Sequence, residues 1–303
     1  MCYQFFSFTT KLNTMFYPSS ELVLNAQGKV YHLDLAPHEL ADKIILVGDP
    51  DRIGLVSSFF SKIEHKAQHR EFVTHTGIYK GERMSVVSTG IGTDNCDIVI
   101  NELDALANIN LTTREDHPNK KSLKFIRIGT CGILQPEIPI HSYIISTHAY
   151  GLDNIAHFYD ISFTEEENTL REALNQHIQW PENIRPYLIQ ANPELVKNLS
   201  SDSTFQGITV TSSGFYGPQG RKLRLPLAKA DINELLTAFR FNEQKVTNFE
   251  MESSAIFCLG KALGHQAATI CLGVANRPNQ EFSKGFDKEM NALIEYSLDA
   301  AIR

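Results

Sequence analysis

The chain has 303 residues, about twice the modal domain length, which accommodates one large domain or two small ones. Hydrophobic residues make up 42% and charged residues 21%, globular proportions that exclude a disordered tail protein or a collagen-like fibre. Lys plus Arg is 28 against 35 Asp plus Glu, a net charge of −7, so nucleic acid is a poor first reading of its partner, and no apolar run approaches the roughly eighteen residues of a membrane span.

The N-terminus has aromatic residues but no basic start and no continuous apolar core, so it does not read as a signal peptide. It has no helical or strand period. Residues 1–25 are expected as an extension, poorly ordered or docked on the surface, with Met15 as a candidate start and one domain over 26–303. Lys43 to Val47 is the first strong strand, ended by Gly48-Asp49-Pro50. Glu71–Tyr79 and Arg83–Thr89 read as a hairpin turning at Lys80-Gly81-Glu82. A helix follows over Asp94–Ile109, with Val99, Leu103 and Leu106 inward and Asp97, Asn101, Asp104 and Asn108 outward. Residues 111–122 form a polar loop, and 123–129 and 140–147 are strands. Residues 153–206 form a less regular region with helices near 164–178 and 192–200, and 207–213 is a strand. A buried helix over Ser253–Leu263 has Gly264 just past its end; then come a buried strand, 267–275, and a last helix burying Met290, Leu293, Ile294 and Leu298. Alternating strands and helices without a linker predict a single α/β domain.

The five cysteines have no C-x-x-C spacing, fit neither a disulfide framework nor a zinc site, and point to a reducing, cytoplasmic compartment. A Walker A motif is absent. Gly90-Ile-Gly opens a helix after a strand but lacks the third glycine of a dinucleotide fingerprint, which leaves a tight turn whose amides face an anion. His65 and His69 are four apart without an adjacent Glu, so no metal is expected.

Chemistry concentrates in four segments. Gly48-Asp-Pro-Asp-Arg52 follows a buried strand, with Asp49 as cap and Pro50 at the first helical position, and suits an anion. Arg127 sits in a run that otherwise wants burial, so its guanidinium must meet an anionic ligand or an internal carboxylate. Thr130 and the amides near Gly129 and Gly132 follow, and Arg70 is a third cation; together these suit a phosphate dianion. Phe215-Tyr-Gly-Pro-Gln-Gly-Arg221 has the composition of a pocket for a planar heterocycle or of a surface turn. Glu250 and Glu252 either complement the dipole of the helix they precede or accept bonds from sugar hydroxyls.

In this order, GDPDR (48–52), HREF (69–72), STGIG (88–92), FIRIGTCG (125–132), FYGPQGR (215–221), NFEMES (248–253) and VANR (274–277) resemble the nucleoside phosphorylase-I family, and within it the uridine phosphorylases. The resemblance implies a single α/β domain around a mixed, distorted barrel-like sheet, and assembly as a homodimer or a hexamer of dimers. It implies phosphate contacts from Gly48, Arg52, Arg127 and Thr130, with Arg70 from a neighbouring subunit. Ribose contacts fall on Glu252, Met251 and Glu250, with His32 from the neighbour. The base falls to Phe215, Gln219 and Arg221, near Cys131 and Gly132, with Arg277 in support. Catalysis falls on Arg221, Gln219 and Glu252. The implied partners are a nucleoside and inorganic phosphate, the latter a substrate, with no cofactor. Some members hold a monovalent cation through a Glu like Glu71 and a later Ser; Asn95 stands at the latter position, which argues against potassium. A purine phosphorylase, a nucleosidase of the same fold and a non-catalytic nucleoside sensor are the competing readings.

Overall fold

A computed structural model describes residues 15–303. The elements run β1 (Lys43–Val47), α1 (Arg52–Ser57), β2 (Lys62–His69), β3 (Phe72–Tyr79), β4 (Glu82–Ser88), α2 (Thr93–Asn108), β5 (Ile109–Asn110), β6 (Glu115–Asp116), β7 (Lys124–Ile133) and β8 (Tyr143–Gly151). They continue with α3 (Glu165–Ile178), β9 (Tyr187–Gln190), α4 (Pro193–Leu199), β10 (Thr204–Thr211), α5 (Ile232–Ala238), β11 (Arg240–Phe241) and β12 (Gln244–Glu250). The chain ends with α6 (Ser253–Ala262), β13 (Gln266–Asn276), β14 (Glu281–Phe282) and α7 (Asp287–Ala301).

The sheet order is β11-β12-β10-β8-β13-β7-β1-β4-β3-β2. A further pairing of β12 with β7, Phe249 opposite Gly132, closes the five strands β12-β10-β8-β13-β7 into a barrel. Pairing is mixed: β13 runs parallel to β7 and antiparallel to β8, and β12 runs antiparallel to β7. This is the expected α/β architecture, a distorted barrel with an open extension formed by β1, β4, β3 and β2. β1 shows why its sequence is continuously apolar. Ile44 and Leu46 enter the core shared with α2 and α6, while Ile45 and Val47 enter the core shared with α1 and α7, so both faces are covered. Among the described residues no helix is long and apolar enough to cross a membrane.

Several local expectations are corrected. The segment before α6 is the strand β12, whose Thr247 and Asn248 are fully buried and hydrogen-bond to each other and to β10, so no hydrophobic run marks it. β2 is an additional strand at the sheet edge, mostly exposed, as edge position allows. β8 starts at Tyr143, after His141 takes a left-handed turn. Asn108 is buried instead of outward, donating to Asp104 Oδ1 at 2.7 Å and to the Lys121 carbonyl at 3.1 Å. The polar loop contains β6, and its Arg114 Nη1 donates to the Leu22 carbonyl at 2.6 Å. Leu22 thereby joins the core, and Tyr17 donates to Asp116 at 3.0 Å, while residues 1–14 of the expected extension lie outside the described residues. α1 starts at Arg52, after Asp51; Asp49 instead folds the preceding turn by accepting from the Asp51 amide at 3.0 Å.

Candidate active site

β4, β1, β7 and β13 run parallel, and their C-terminal ends open on one cavity of roughly 650 Å³, the place where open α/β sheets hold ligands. The C-terminal end of β12 reaches the same cavity. Gly48, Arg52, Arg127 and Thr130 line it, as do Phe215, Gln219, Arg221, Cys131 and Gly132. Glu250, Met251 and Glu252 complete that set, so three sequence-distant groups converge.

At one end, two guanidiniums meet. Arg52, the first residue of α1, donates from Nη1 to the Ile128 carbonyl at 3.3 Å and has no carboxylate partner among the described residues; burial and then the nearby Arg127 charge pull its pKa down. Gly48 sits in this corner, where a Cβ would make ordinary contact with the Gly90 carbonyl at 3.4 Å and Arg127 Nη2 at 4.0 Å. Arg127 projects from β7 over Gly129. Its Nη2 is paired with Glu252, and its Nη1 lies 3.5 Å from Glu250 Oε2 and 3.5 Å from Cys271 Sγ. Arg127 Nε is buried without a hydrogen-bond partner among the described residues, an unused donor at the anion end. Burial works against its charge, but Glu252 and Glu250 outweigh that and raise its pKa. Of the two sequence alternatives for Arg127, the internal carboxylate is present, and that carboxylate itself belongs to the site.

The two glutamates differ in use. Glu250 accepts from the Glu252 amide at 2.9 Å, the Ser253 amide at 2.9 Å and the Thr211 hydroxyl at 2.5 Å. It therefore satisfies the N-terminal amides of α6, as the dipole reading of this motif expects. Glu252 accepts from the Gly92 amide at 2.8 Å as well as from Arg127. Burial pushes the Glu252 carboxyl up; Arg127 opposes this and Glu250 adds to it. Gly92 has φ 98°, which turns its amide inward, so the anion expected at the STGIG turn is Glu252.

At the other end, the turn Gly217–Gln219 buries Gln219. Arg221 donates from Nη1 to Gln219 Oε1 at 2.5 Å and to the Phe215 carbonyl at 2.6 Å, with its guanidinium 3.7 Å from the Phe215 ring centre. Arg277 donates to the Gln219 carbonyl at 3.3 Å. Both arginines close on Gly132, where a Cβ would lie 3.7 Å from Arg277 Cγ and 3.8 Å from Arg221 Nη2. Burial, then the Arg277 charge, pull the pKa of Arg221 down to about 10.

Arg70 and His32 lie outside the cavity. Arg70 is exposed at the β2–β3 turn with φ 53°, and the adjoining His69 places its Nδ1 3.2 Å from the His32 carbonyl, so the two form one surface patch. His32 Nδ1 is held by Glu102 at 2.7 Å. Glu71 and Asn95 adjoin Gly90, but Asn95 Nδ2 donates to the Ile91 carbonyl at 3.4 Å. No cluster of three His, Cys, Asp or Glu suited to a metal exists among the described residues. Phe249, Ile91 and Phe282 line the cavity without having been singled out from the sequence. Phe249 and Ile91 lie inside the quoted motifs, whereas Phe282 arrives on β14 with no local signal.

The phosphorylase superfamily model matches residues 42–303. The uridine phosphorylase of Thermococcus kodakarensis is 31% identical over 271 residues, covering 89% of this chain and 86% of the relative. A DeoD-type purine nucleoside phosphorylase of Oceanobacillus iheyensis is 26% identical, covering 90% and 99%. The crystal structure of a Trypanosoma brucei nucleoside phosphorylase, described as showing uridine phosphorylase activity, superposes with TM-score 0.87 at 31% identity, covering 93% of this chain and 99% of that one. With the motifs, the closed five-strand barrel and a family match across most of its length in agreement, the chain belongs to the phosphorylase superfamily.

Proposed function

We propose that the chain is a pentosyltransferase that cleaves uridine with inorganic phosphate, giving uracil and ribose 1-phosphate. One observation carries this reading: β7 runs along the cavity from Arg127, at the two-guanidinium end, to Gly132, at the end where Gln219, Arg221 and Arg277 converge. Five residues of strand span about 16 Å, enough for a phosphate and a nucleoside in line.

The charges then do the chemistry. Glycosidic cleavage leaves positive charge on the ribose and negative charge on the base. Arg52, Arg127 and Thr130 hold phosphate as nucleophile and counter-charge beneath the sugar. Glu252 and Met251 position the sugar, and the Glu252 carboxylate strengthens its hold on the hydroxyls as the ring flattens. Glu250 supports this by fixing the Glu252 amide. Because Arg127 pairs with Glu252, phosphate and ribose are oriented by one joined group. Arg221, braced by Phe215 and Gln219, meets the uracil carbonyl as it becomes anionic, with Gln219 reading the adjacent edge and Arg277 adding charge. The reaction needs no cofactor. Arg70 and His32 complete the site of a neighbouring subunit in a homodimer, and the reduced cysteines suit the cytoplasm.

The DeoD-type relative makes a purine phosphorylase the second reading. A purine needs an acid at its ring nitrogen near the end of β13. Asn276 is there, and its Nδ2 is spent on the Gln135 and Ile138 carbonyls at 3.0 and 2.9 Å. Uridine and inosine, each assayed with and without phosphate, test the proposal. Uracil release that needs phosphate and exceeds hypoxanthine release supports it; phosphate-independent release would mean a nucleosidase, and preference for inosine a purine enzyme.

A further inference from the structure

Two thiols meet at the wall of the cavity. Cys131 on β7 lines the cavity, and Cys271 on β13 lies just behind it. Both belong to one buried cluster with Ile133, Ile138 and Ile144. In the parallel ladder, Cys131 stands opposite Gly273 and Cys271 opposite Gly129. The two cysteines are therefore diagonal neighbours on one face, and the other diagonal is held by two glycines. Arg127 Nη1 lies 3.5 Å from Cys271 Sγ.

Strand geometry decides what this pair can do. Strands about 4.8 Å apart and a two-residue offset of about 6.6 Å put diagonal Cα atoms about 8 Å apart. A disulfide needs about 4.4–6.8 Å. Direct oxidation is thus opposed by the ladder, whereas a bridging atom bonded to both sulfurs spans the gap without moving the backbone.

We propose that Cys131 and Cys271 form a dithiol site for a thiophilic centre with two exchangeable positions, such as a trivalent organoarsenic compound. The reaction is an exchange without oxidation. Each S–H gives its proton to one hydroxyl on arsenic, two S–As bonds replace two O–As bonds, and two waters leave, with arsenic remaining trivalent. Cys131, facing the cavity, reacts first, and Cys271 closes the bridge. Cys96 and Cys258 lie in the separate buried core packed around α2 and α6, so this pair is set apart from them.

The test is the intact mass of the full chain after incubation with one equivalent of phenylarsine oxide under reducing, metal-free conditions. One phenylarsenic adduct per chain is expected, removed by a dithiol but not by an equal concentration of a monothiol. Cys131→Ser and Cys271→Ser should each cut adduct formation at least tenfold, with circular dichroism confirming that they fold. A chain with Cys2, Cys96 and Cys258 all changed to Ser should retain the adduct, and it keeps the test decisive if either single variant fails to fold. No adduct on the wild-type chain, or an adduct that survives both single substitutions, overturns the proposal. Because mass is the readout, the result is independent of whether uridine is the substrate.

Discussion

Arg127→Met tests the account of the site most directly. The substitution keeps much of the side-chain volume and removes the only cation among the described residues paired with Glu252 and Glu250, both about 3% exposed. Removing one partner of a buried ion pair costs about 3–5 kcal/mol, because the other charge is left unpaired. At about 2.1 cal/mol/K per residue, unfolding of a chain of this length has an entropy near 0.64 kcal/mol/K, so Tm should fall by about 5–8 °C. The sign of the pH dependence follows. Burial already raises the Glu252 carboxyl against the opposing Arg127, so without Arg127 its folded-state pKa lies further above its unfolded value. The penalty is then full above the folded value and absent below the unfolded one, so the gap from wild type should narrow as pH falls from 8 to 5.5. Thermal melts of wild type, Arg127→Met, Glu252→Gln and the double variant supply the cycle, and Glu252→Gln should recover at least about 1 kcal/mol in the Arg127→Met background. A gap under about 1 kcal/mol at pH 8, or one that widens on acidification, would refute the idea that these carboxylates depend on Arg127.

Arg221→Ala should lower kcat/KM for uridine about 10²- to 10³-fold while leaving the phosphate KM within about twofold, since it removes a donor at the developing base anion and touches nothing at the other end. Gly129→Ala would place a methyl group 2.8 Å from Arg127 Cζ, and displacing that guanidinium should raise the phosphate KM at least about tenfold; an unchanged KM means Arg127 does not hold phosphate. Arg70→Ala and Arg127→Ala should each be nearly inactive, yet co-refolded in equal amounts they should recover about a quarter of the sites, because mixed dimers carry one intact site. Mixtures that stay inactive although mixed dimers are seen by mass would place Arg70 in its own chain's site or in none.

Locally encoded features were legible in the sequence where one residue or one short period sets the outcome. β1 matches its expected range because five apolar residues followed by Gly-Asp-Pro admit little else. The hairpin turn came from Lys80-Gly81, both at positive φ, and Gly264 ends α6 with φ 82°. β12 was not legible, because its buried Thr247 and Asn248, which hydrogen-bond to each other and to Thr209, stand where the usual signal is apolar. The motifs named the residues of the site, but not which of them touch.

The sequence by itself determined the α/β alternation, the positions of most helices and the presence of cationic, acidic and aromatic segments, since these depend on backbone preferences and burial periods within a few residues. Tertiary structure alone decided that Arg127 meets Glu252, 125 residues further on, and that Glu250 serves the amides of α6. It also decided that Arg221 and Arg277 share the floor at Gly132. The physical reason is closure: only when β12 returns to pair with β7 do these side chains face one cavity, and that pairing depends on the packing of the whole barrel.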